Sequence, residues 1–252
     1  MPRLLNDNTM EAGNIGGLQK FQFSGIRTDH LGATEYTLVT VAVDVTGSTS
    51  SFADELRKTL IEAVESCKKS PRRNNLLLRV ITFSSYLPNG HEELHGFKPL
   101  ADIDTNSYPH FNPRGGTPLF DASFSAVGAT NQYAEKLTAD DYGVNGIIFV
   151  ITDGDDNDST VTPKMIKEEV TKALVGEHIE SLVTVLIGIN ASYFKQELES
   201  FKKEAGIDQY IDAGDATVGK LAKLAAFVSQ SISSQSQALG TGGPSQQIAA
   251  TI

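Results

Sequence analysis

Apolar residues along the chain fall into two alternating patterns. Short runs in which nearly every position is aliphatic or β-branched ("EYTLVTVAVDV", "NLLLRVITFSS", "NGIIFVITDG" and "IESLVTVLIGIN") predict strands buried on both faces. "IDQYIDAGD" predicts a further short strand, and "EELHGFKPL" a hairpin partner. Between these runs the apolar positions recur at helical spacing. In "SSFADELRKTLIEAVESCKKS" they are Ala53, Leu56, Leu60, Ala63, Val64 and Cys67, with Ser51 placed to cap the start. Helices are also predicted in "TPLFDASFSAVGATNQYAEKL", with Pro118 in its first turn, in "TPKMIKEEVTKALV", in "SYFKQELESFKKEAG" ending on Gly206, and in "ATVGKLAKLAAFVSQSIS". About six strands alternating with helices, several of them apolar on both faces, predict an α/β fold. The central sheet is expected to be doubly wound and mostly parallel, with helices on both sides.

The two ends of the chain lack this pattern. Residues 1–34 are polar and glycine-bearing, with a short strand in "KFQFSGI", and read as an N-terminal extension. Residues 233–252, "SSQSQALGTGGPSQQIAATI", are rich in Ser, Gln and Gly and read as a flexible tail. The domain is expected between them, over 35–232, and 252 residues of which 40% are hydrophobic suffice for one core. The net charge of −10 disfavours binding to phosphate backbones or anionic membranes and suits cations and basic partners. The single cysteine, Cys67, falls on an apolar helix face, forms no disulfide within the chain and fits a reducing compartment. No signal-peptide core is seen at the N-terminus, and no window approaches the roughly 20 apolar residues of a membrane span. A cytoplasmic location is expected.

In doubly wound sheets ligands sit beyond the carboxyl ends of the strands, so acids at strand ends are the residues to follow. Asp44, Thr46 and Ser48 succeed the first long strand, Thr117 stands in "PRGGTPLFDA" before a helix, and Asp153 ends "IIFVITDG". Two carboxylates and three hydroxyls form an all-oxygen set, without His or Cys. Such hard donors favour Mg²⁺, Mn²⁺ or Ca²⁺ over Zn²⁺.

Asp-x-[Ser/Thr]-x-Ser after the first strand, Thr in a Gly-Gly-Thr-Pro turn and Thr-Asp-Gly at a later strand end resemble the von Willebrand factor type A (vWA) domain, with the likeness in element order covering about 36–232. The resemblance implies a metal-ion-dependent adhesion site, with Asp44, Thr46, Ser48, Thr117 and Asp153 as ligands, the hydroxyls directly and one or both aspartates through water. It implies Mg²⁺ or Mn²⁺ at the sheet edge, coordination completed by a partner protein's carboxylate, and binding without catalysis. Intracellular bacterial and phage members often belong to stress or defence gene sets, some beside AAA+ ATPases or phosphatases. Two departures stand out: Thr46 replaces the commoner Ser, adding a methyl that stiffens χ1, and Ser51 and Phe52 stand where integrin-type members often carry acids for a neighbouring Ca²⁺. No second ion is expected.

Other motifs compete. "DVTGS" and "DGDDND" resemble the haloacid-dehalogenase-like superfamily, which would make Asp44 a phosphoryl-accepting nucleophile, Asp153 or Asp155 a Mg²⁺ ligand and Lys136 the neutralising lysine. Against this, "DGDDND" is one residue out of register, Thr46 removes the usual general acid, and the "GGTPLFDA" turn has no role. As an EF-hand from Asp153, the sixth and twelfth positions are Asp158 and Lys164 rather than Gly and Glu. Asp155, Asp156 and Asp158 are read instead as an acidic rim. "HEELH", residues 91–95, matches a zinc-protease motif only in letters, because Pro88, Gly90 and Gly96 leave no room for the helix that would face both histidines one way.

Overall fold

The computed structural model describes residues 9–16, 18–176 and 178–241. Eight strands form one sheet: β1 (Met10–Asn14), β2 (Gln22–Ile26), β3 (Glu35–Asp44), β4 (Leu76–Phe83), β5 (His91–Pro99), β6 (Gly143–Thr152), β7 (Leu182–Ile189) and β8 (Gln209–Gly214). Their spatial order is β1-β2-β5-β4-β3-β6-β7-β8. β4, β3, β6, β7 and β8 are mutually parallel, β5 runs antiparallel to β4, and β1 antiparallel to β2. Five α-helices accompany them: α1 (Ala53–Cys67), α2 (Leu119–Ala139), α3 (Pro163–Val175), α4 (Lys195–Ala205) and α5 (Val218–Thr241).

The aliphatic strands are buried twice, as their composition requires. Leu38 and Ala42 of β3, Leu77 and Ile81 of β4 and Ile148 of β6 pack with α2, α3 and α4. The alternate residues Val39, Val41 and Val43, Leu78 and Val80, and Ile147 and Phe149 pack with α1 and α5. The central strand β3 is paired over nearly its whole length with β4 on one side and β6 on the other. The chain leaves β3 for one half of the sheet and returns for the other, so the carboxyl ends of β3 and β6 mark the switch point where a crevice opens.

Three details depart from the sequence reading. The short strand expected in "KFQFSGI" forms as β2, but it joins the sheet beyond β5 together with an unexpected strand, β1, so this part of the N-terminal extension continues the sheet. Helix α5 runs on to Thr241, so 233–241 are helical rather than a flexible tail, while 242–252 lie outside the described residues. Within that stretch Gln235, Ser236, Ala238 and Leu239 are buried, and the polar ones bond inward: Gln235 Nε2 to Ser181 Oγ (2.9 Å) and Arg72 Nε to Ser236 Oγ (3.3 Å). Ser51 caps nothing: it closes a 3-10 turn, Gly47–Ser51, and α1 starts after Phe52. The buried hydroxyl of Thr49 takes the ordering role instead, donating to the Thr46 carbonyl (2.9 Å).

The histidines of "HEELH" sit on β5, whose register against β4 slips twice. The slip that falls between Glu93 and His95 turns them to opposite faces: His91 stacks on Phe21, and His95 stacks on Tyr108 and meets its hydroxyl (2.8 Å). They share no site. Burial is the first cause that holds the His91 imidazole down at about 4, with the Arg79 charge adding to it.

The same strand carries a buried ion pair. Arg79 on β4 is fully buried and its Nε donates to Glu93 Oε1 on β5 (2.6 Å). Its Nη1 and Nη2 reach the Ser125 carbonyl (3.3 Å) and hydroxyl (3.2 Å) on α2. Glu93 also accepts from the Ser24 backbone N–H (3.2 Å) and hydroxyl (2.8 Å) on β2. The β1–β2 ribbon shares a single parallel ladder pair with β5, Gly25 with Phe97, so this network is a principal tie holding it to the sheet.

Two outcomes follow. Arg79→Ala strands Glu93 as an unpaired buried charge and should cost about 3–5 kcal/mol in urea unfolding, more than removing both partners together in Arg79→Met/Glu93→Met. With its folded pKa depressed, His91 leaves the native state binding fewer protons than the unfolded chain between about pH 6.5 and 4. Its contribution, complete above pH 6.5, is lost as pH falls through that window. His91→Phe, which keeps the stack on Phe21, should reduce the acid loss of stability by about 2–3 kcal/mol, read from urea midpoints across the window.

Candidate metal centre

Four loops converge at the carboxyl ends of β3 and β6. Asp44 is the last residue of β3 and only 1% exposed. The Thr46 backbone N–H donates to its Oδ1 (2.8 Å) and the Thr152 hydroxyl, at the end of β6, to its Oδ2 (2.8 Å). The Thr46 and Ser48 hydroxyls are 3.1 Å apart, and Ser48 Oγ donates to Asp153 Oδ1 (2.8 Å). Asp44, Thr46, Ser48 and Asp153 thus form one continuous hydrogen-bonded chain across the switch point.

Thr117 arrives from the Gly-Gly-Thr-Pro turn, which is stitched to the loops on both sides. The Arg114 N–H donates to the Val45 carbonyl (3.1 Å) and the Gly47 N–H to the Gly115 carbonyl (3.1 Å). The Ser85 N–H donates to the Gly116 carbonyl (3.0 Å), and Ser85 Oγ accepts from the Gly116 N–H (2.8 Å). Gly115 has φ +72°, which favours glycine, and a Cβ on Gly116 would lie 2.6 Å from Asn157 Oδ1. Thr117 is buried, and its backbone pairs reciprocally with Asn157: its N–H donates to Asn157 Oδ1 (2.7 Å) and its carbonyl accepts from the Asn157 N–H (3.0 Å). Direct hydrogen bonds join four of the five predicted residues; the fifth is fixed to the first loop through Gly115 and to the "DGDDND" loop through Asn157.

Three supporting residues escaped the sequence reading. Thr152 orients Asp44, and Asn157 holds Thr117. Asp121, fully buried in the first turn of α2, accepts the N–H groups of Thr160 and Val161 (2.9 Å each) and pairs with Lys20. Of the expected acidic rim, Asp156 turns inward to accept the Phe120 N–H at the start of α2 (3.1 Å), while Asp158 is exposed. A helix start beside a Thr-Asp-Gly turn was the available signal for such a capping carboxylate.

The electrostatics are those of a site short of positive charge. Burial pushes the Asp44 carboxyl up to about 7; the Thr46 hydroxyl opposes the rise and the neighbouring Asp153 charge adds to it. Burial raises Asp153 as well, opposed by Ser48. Among the described residues neither aspartate has a Lys, Arg or His ion-pair partner. Donor chemistry and charge deficit both fit a hard divalent cation held by Asp44, Thr46, Ser48, Thr117 and Asp153. No group of three or more His, Cys, Asp or Glu side chains placed to hold a metal occurs among the described residues, and a set of two carboxylates and three hydroxyls is not of that type.

The phosphoryl-transfer scheme finds no such geometry. Lys136 stands in the last turn of α2, about 25 Å along the helix from its first residue, and pairs with Glu11.

No protein-family model and no curated protein matches the sequence. Solved structures match the fold. The chain aligns with the pilus adhesin SpaC from Lactobacillus rhamnosus GG at TM-score 0.54 and 13% identity, covering 84% of this chain and 32% of the adhesin. It aligns with the PilB minor pilin from Streptococcus sanguinis at TM-score 0.57 and 15% identity, over 88% of this chain and 66% of the pilin. A third match is proximal thread matrix protein 1 of the mussel byssus, in a form with a zinc-occupied MIDAS motif, at TM-score 0.52 and 18% identity, over 78% of this chain and 46% of that protein. The chain spans about a third of the adhesin and about half of the byssus protein. The α/β architecture, a mostly parallel mixed sheet of eight strands with helices on both faces, is vWA-like.

Proposed function

We propose that this domain is a non-catalytic protein-binding module that recognises an acidic side chain of a partner through a divalent cation, Mg²⁺ or Mn²⁺ foremost, held by Asp44, Thr46, Ser48, Thr117 and Asp153. The observation that carries the reading is the uncompensated pair of buried aspartates joined by hydroxyls at the switch point of the sheet. When bound, such an ion supplies a coordination position for an outside carboxylate. The chain's own residues set the geometry: Thr152 and the Thr46 N–H fix Asp44, Ser48 fixes Asp153, and Asn157 fixes the loop of Thr117.

The surface around the site supports a docking role. Six large apolar side chains stand exposed among the described residues: Leu18, Tyr86, Val175, Tyr193, Phe194 and Val218. All but Val175 lie in loops or a helix start at this same edge of the sheet, strung out from the β1–β2 loop to the start of α5, with Tyr86 after β4 and Phe194 after β7. Phe194 stands against Gly154, next to Asp153. A pilus adhesin, a minor pilin and a byssus matrix protein, all similar in fold, support an adhesive role. An intracellular stress or defence role beside an AAA+ ATPase or phosphatase is carried by the family resemblance alone; no helix among the described residues is long and apolar enough to cross a membrane.

Titration calorimetry with Mn²⁺ and Mg²⁺ should give one site per chain, abolished in Asp44→Ala. Thr152→Val, which keeps the shape and removes the donor to Asp44, should weaken the ion about 10–100-fold. Affinity capture from the native host should lose its partner on EDTA treatment and in Asp44→Ala; capture that survives both sinks the metal-bridge reading.

A further inference from the structure

The residue before the Gly-Gly-Thr turn is an arginine that the site as described does not use. The Arg114 backbone is bonded to Val45, between Asp44 and Thr46, and its side chain is exposed. Its guanidinium carbon lies 4.8 Å from the centre of the Tyr86 ring, its Nη1 donates to the Tyr86 hydroxyl (3.1 Å) and its Nε to Asn112 Oδ1 (3.2 Å). Tyr86 is itself 63% exposed, so the stack is presented outward. A guanidinium has five N–H donors; Tyr86 and Asn112 take two and leave three without a protein partner among the described residues.

No carboxylate among the described residues pairs with Arg114, although the chain carries a net charge of −10 and Asp155, Asp156 and Asp158 share this edge. A planar cation positioned by a ring and an amide, with free donors, is built to take an anion from outside. Tyr86 and Asn112 also line a groove of about 680 Å³ that begins at Val45 and continues past Thr82 to Tyr108 and His95. Arg114 is held by two residues at the end of the groove nearer Val45, away from the Glu92 and Glu93 carboxylates that line its deeper part.

We infer that Arg114, displayed by Tyr86 and Asn112, is a second anchor for the partner, which binds as an extended acidic segment with one carboxylate at the metal and another on the guanidinium. The inference rests on the metal-bridged reading for the first carboxylate only. Arg114 then sets specificity: it selects a pair of acids over a lone one and rejects a basic neighbour.

The test uses the full chain and two dye-labelled, capped, glycine-rich peptides, one with a single Asp and the other with Asp and Glu separated by one Gly. Fluorescence polarisation is read in Mg²⁺ and in EDTA. In Mg²⁺ the doubly acidic peptide should bind about three- to tenfold more tightly. Arg114→Gln should erase that preference and leave the single-Asp peptide unchanged. Arg114→Lys, which keeps the charge and loses the fork, should retain only part of it. Equal binding of the two peptides to wild type, or a preference that survives in Arg114→Gln, overturns the inference and leaves the metal reading standing. A preference that depends on Arg114 but persists in EDTA and in Asp44→Ala supports the anchor and removes the metal reading. No binding of either peptide at millimolar concentration overturns both.

Discussion

The structure is organised around a carboxylate at the end of its central strand. β3 is paired on both sides, covered on both faces and ends on Asp44 at full burial. A charge there is costly unless groups of opposite polarity surround it, and the chain provides only dipoles: an N–H from Thr46 and a hydroxyl from Thr152. Each fixes a loop. The turn after β3 closes so that the Thr46 N–H points back to Asp44, and β6 must pair with β3 in the observed register for Thr152 to arrive alongside. Ser48 and Asp153 then extend the polar chain to the surface. The site is a consequence of where two neighbouring parallel strands end.

That dependence explains why the Gly-Gly-Thr turn carries so many backbone bonds. No strand or helix element includes Thr117, so its position relies on carbonyl and N–H contacts to the loops after β3, β4 and β6. Gly115 supplies the left-handed turn, and Gly116 lets Asn157 approach. A loop held by backbone pairing keeps a hydroxyl in place without spending that hydroxyl, which remains available to a ligand.

Much of this was legible in the sequence because burial on both faces leaves a plain mark. "TLVTVAVD" and "GIIFVIT" have no polar face to offer solvent, which requires helices above and below, and the acids that end such runs can fall only at the ligand-binding edge. What composition obscured was polar residues buried by specific partners. Gln235 and Ser236 read as tail, yet Ser181 and Arg72 bond them inside the packed part of α5. The strand in "KFQFSGI" was visible but its place in the sheet was not: β2 meets β5 through one ladder pair and is also tied by the bonds of Ser24 to Glu93, a pairing 69 positions apart that no local pattern announces. Ser51 and Thr49 exchanged roles because a 3-10 turn intervenes before α1 and places the threonine hydroxyl at the Thr46 carbonyl.

The molecule holds buried carboxylates of two kinds, and the contrast separates structure from function. Glu93 is met by a buried arginine and two donors from Ser24, and Asp121 by Lys20, a hydroxyl and two backbone N–H groups. Both are compensated within the chain, as a carboxylate must be when its work is to hold elements together. Asp44 and Asp153 are as firmly positioned and receive no cation. The difference is not one of space, since Arg114 stands on the adjoining loop, bonded through its backbone to Val45, and is turned away onto Tyr86 and Asn112. The fold meets Glu93 and Asp121 with cations of its own and turns the arginine of the adjoining loop elsewhere, so that Asp44 and Asp153 are left with dipoles alone among the described residues. That asymmetry, more than any single motif, singles out the end of β3 as the candidate site.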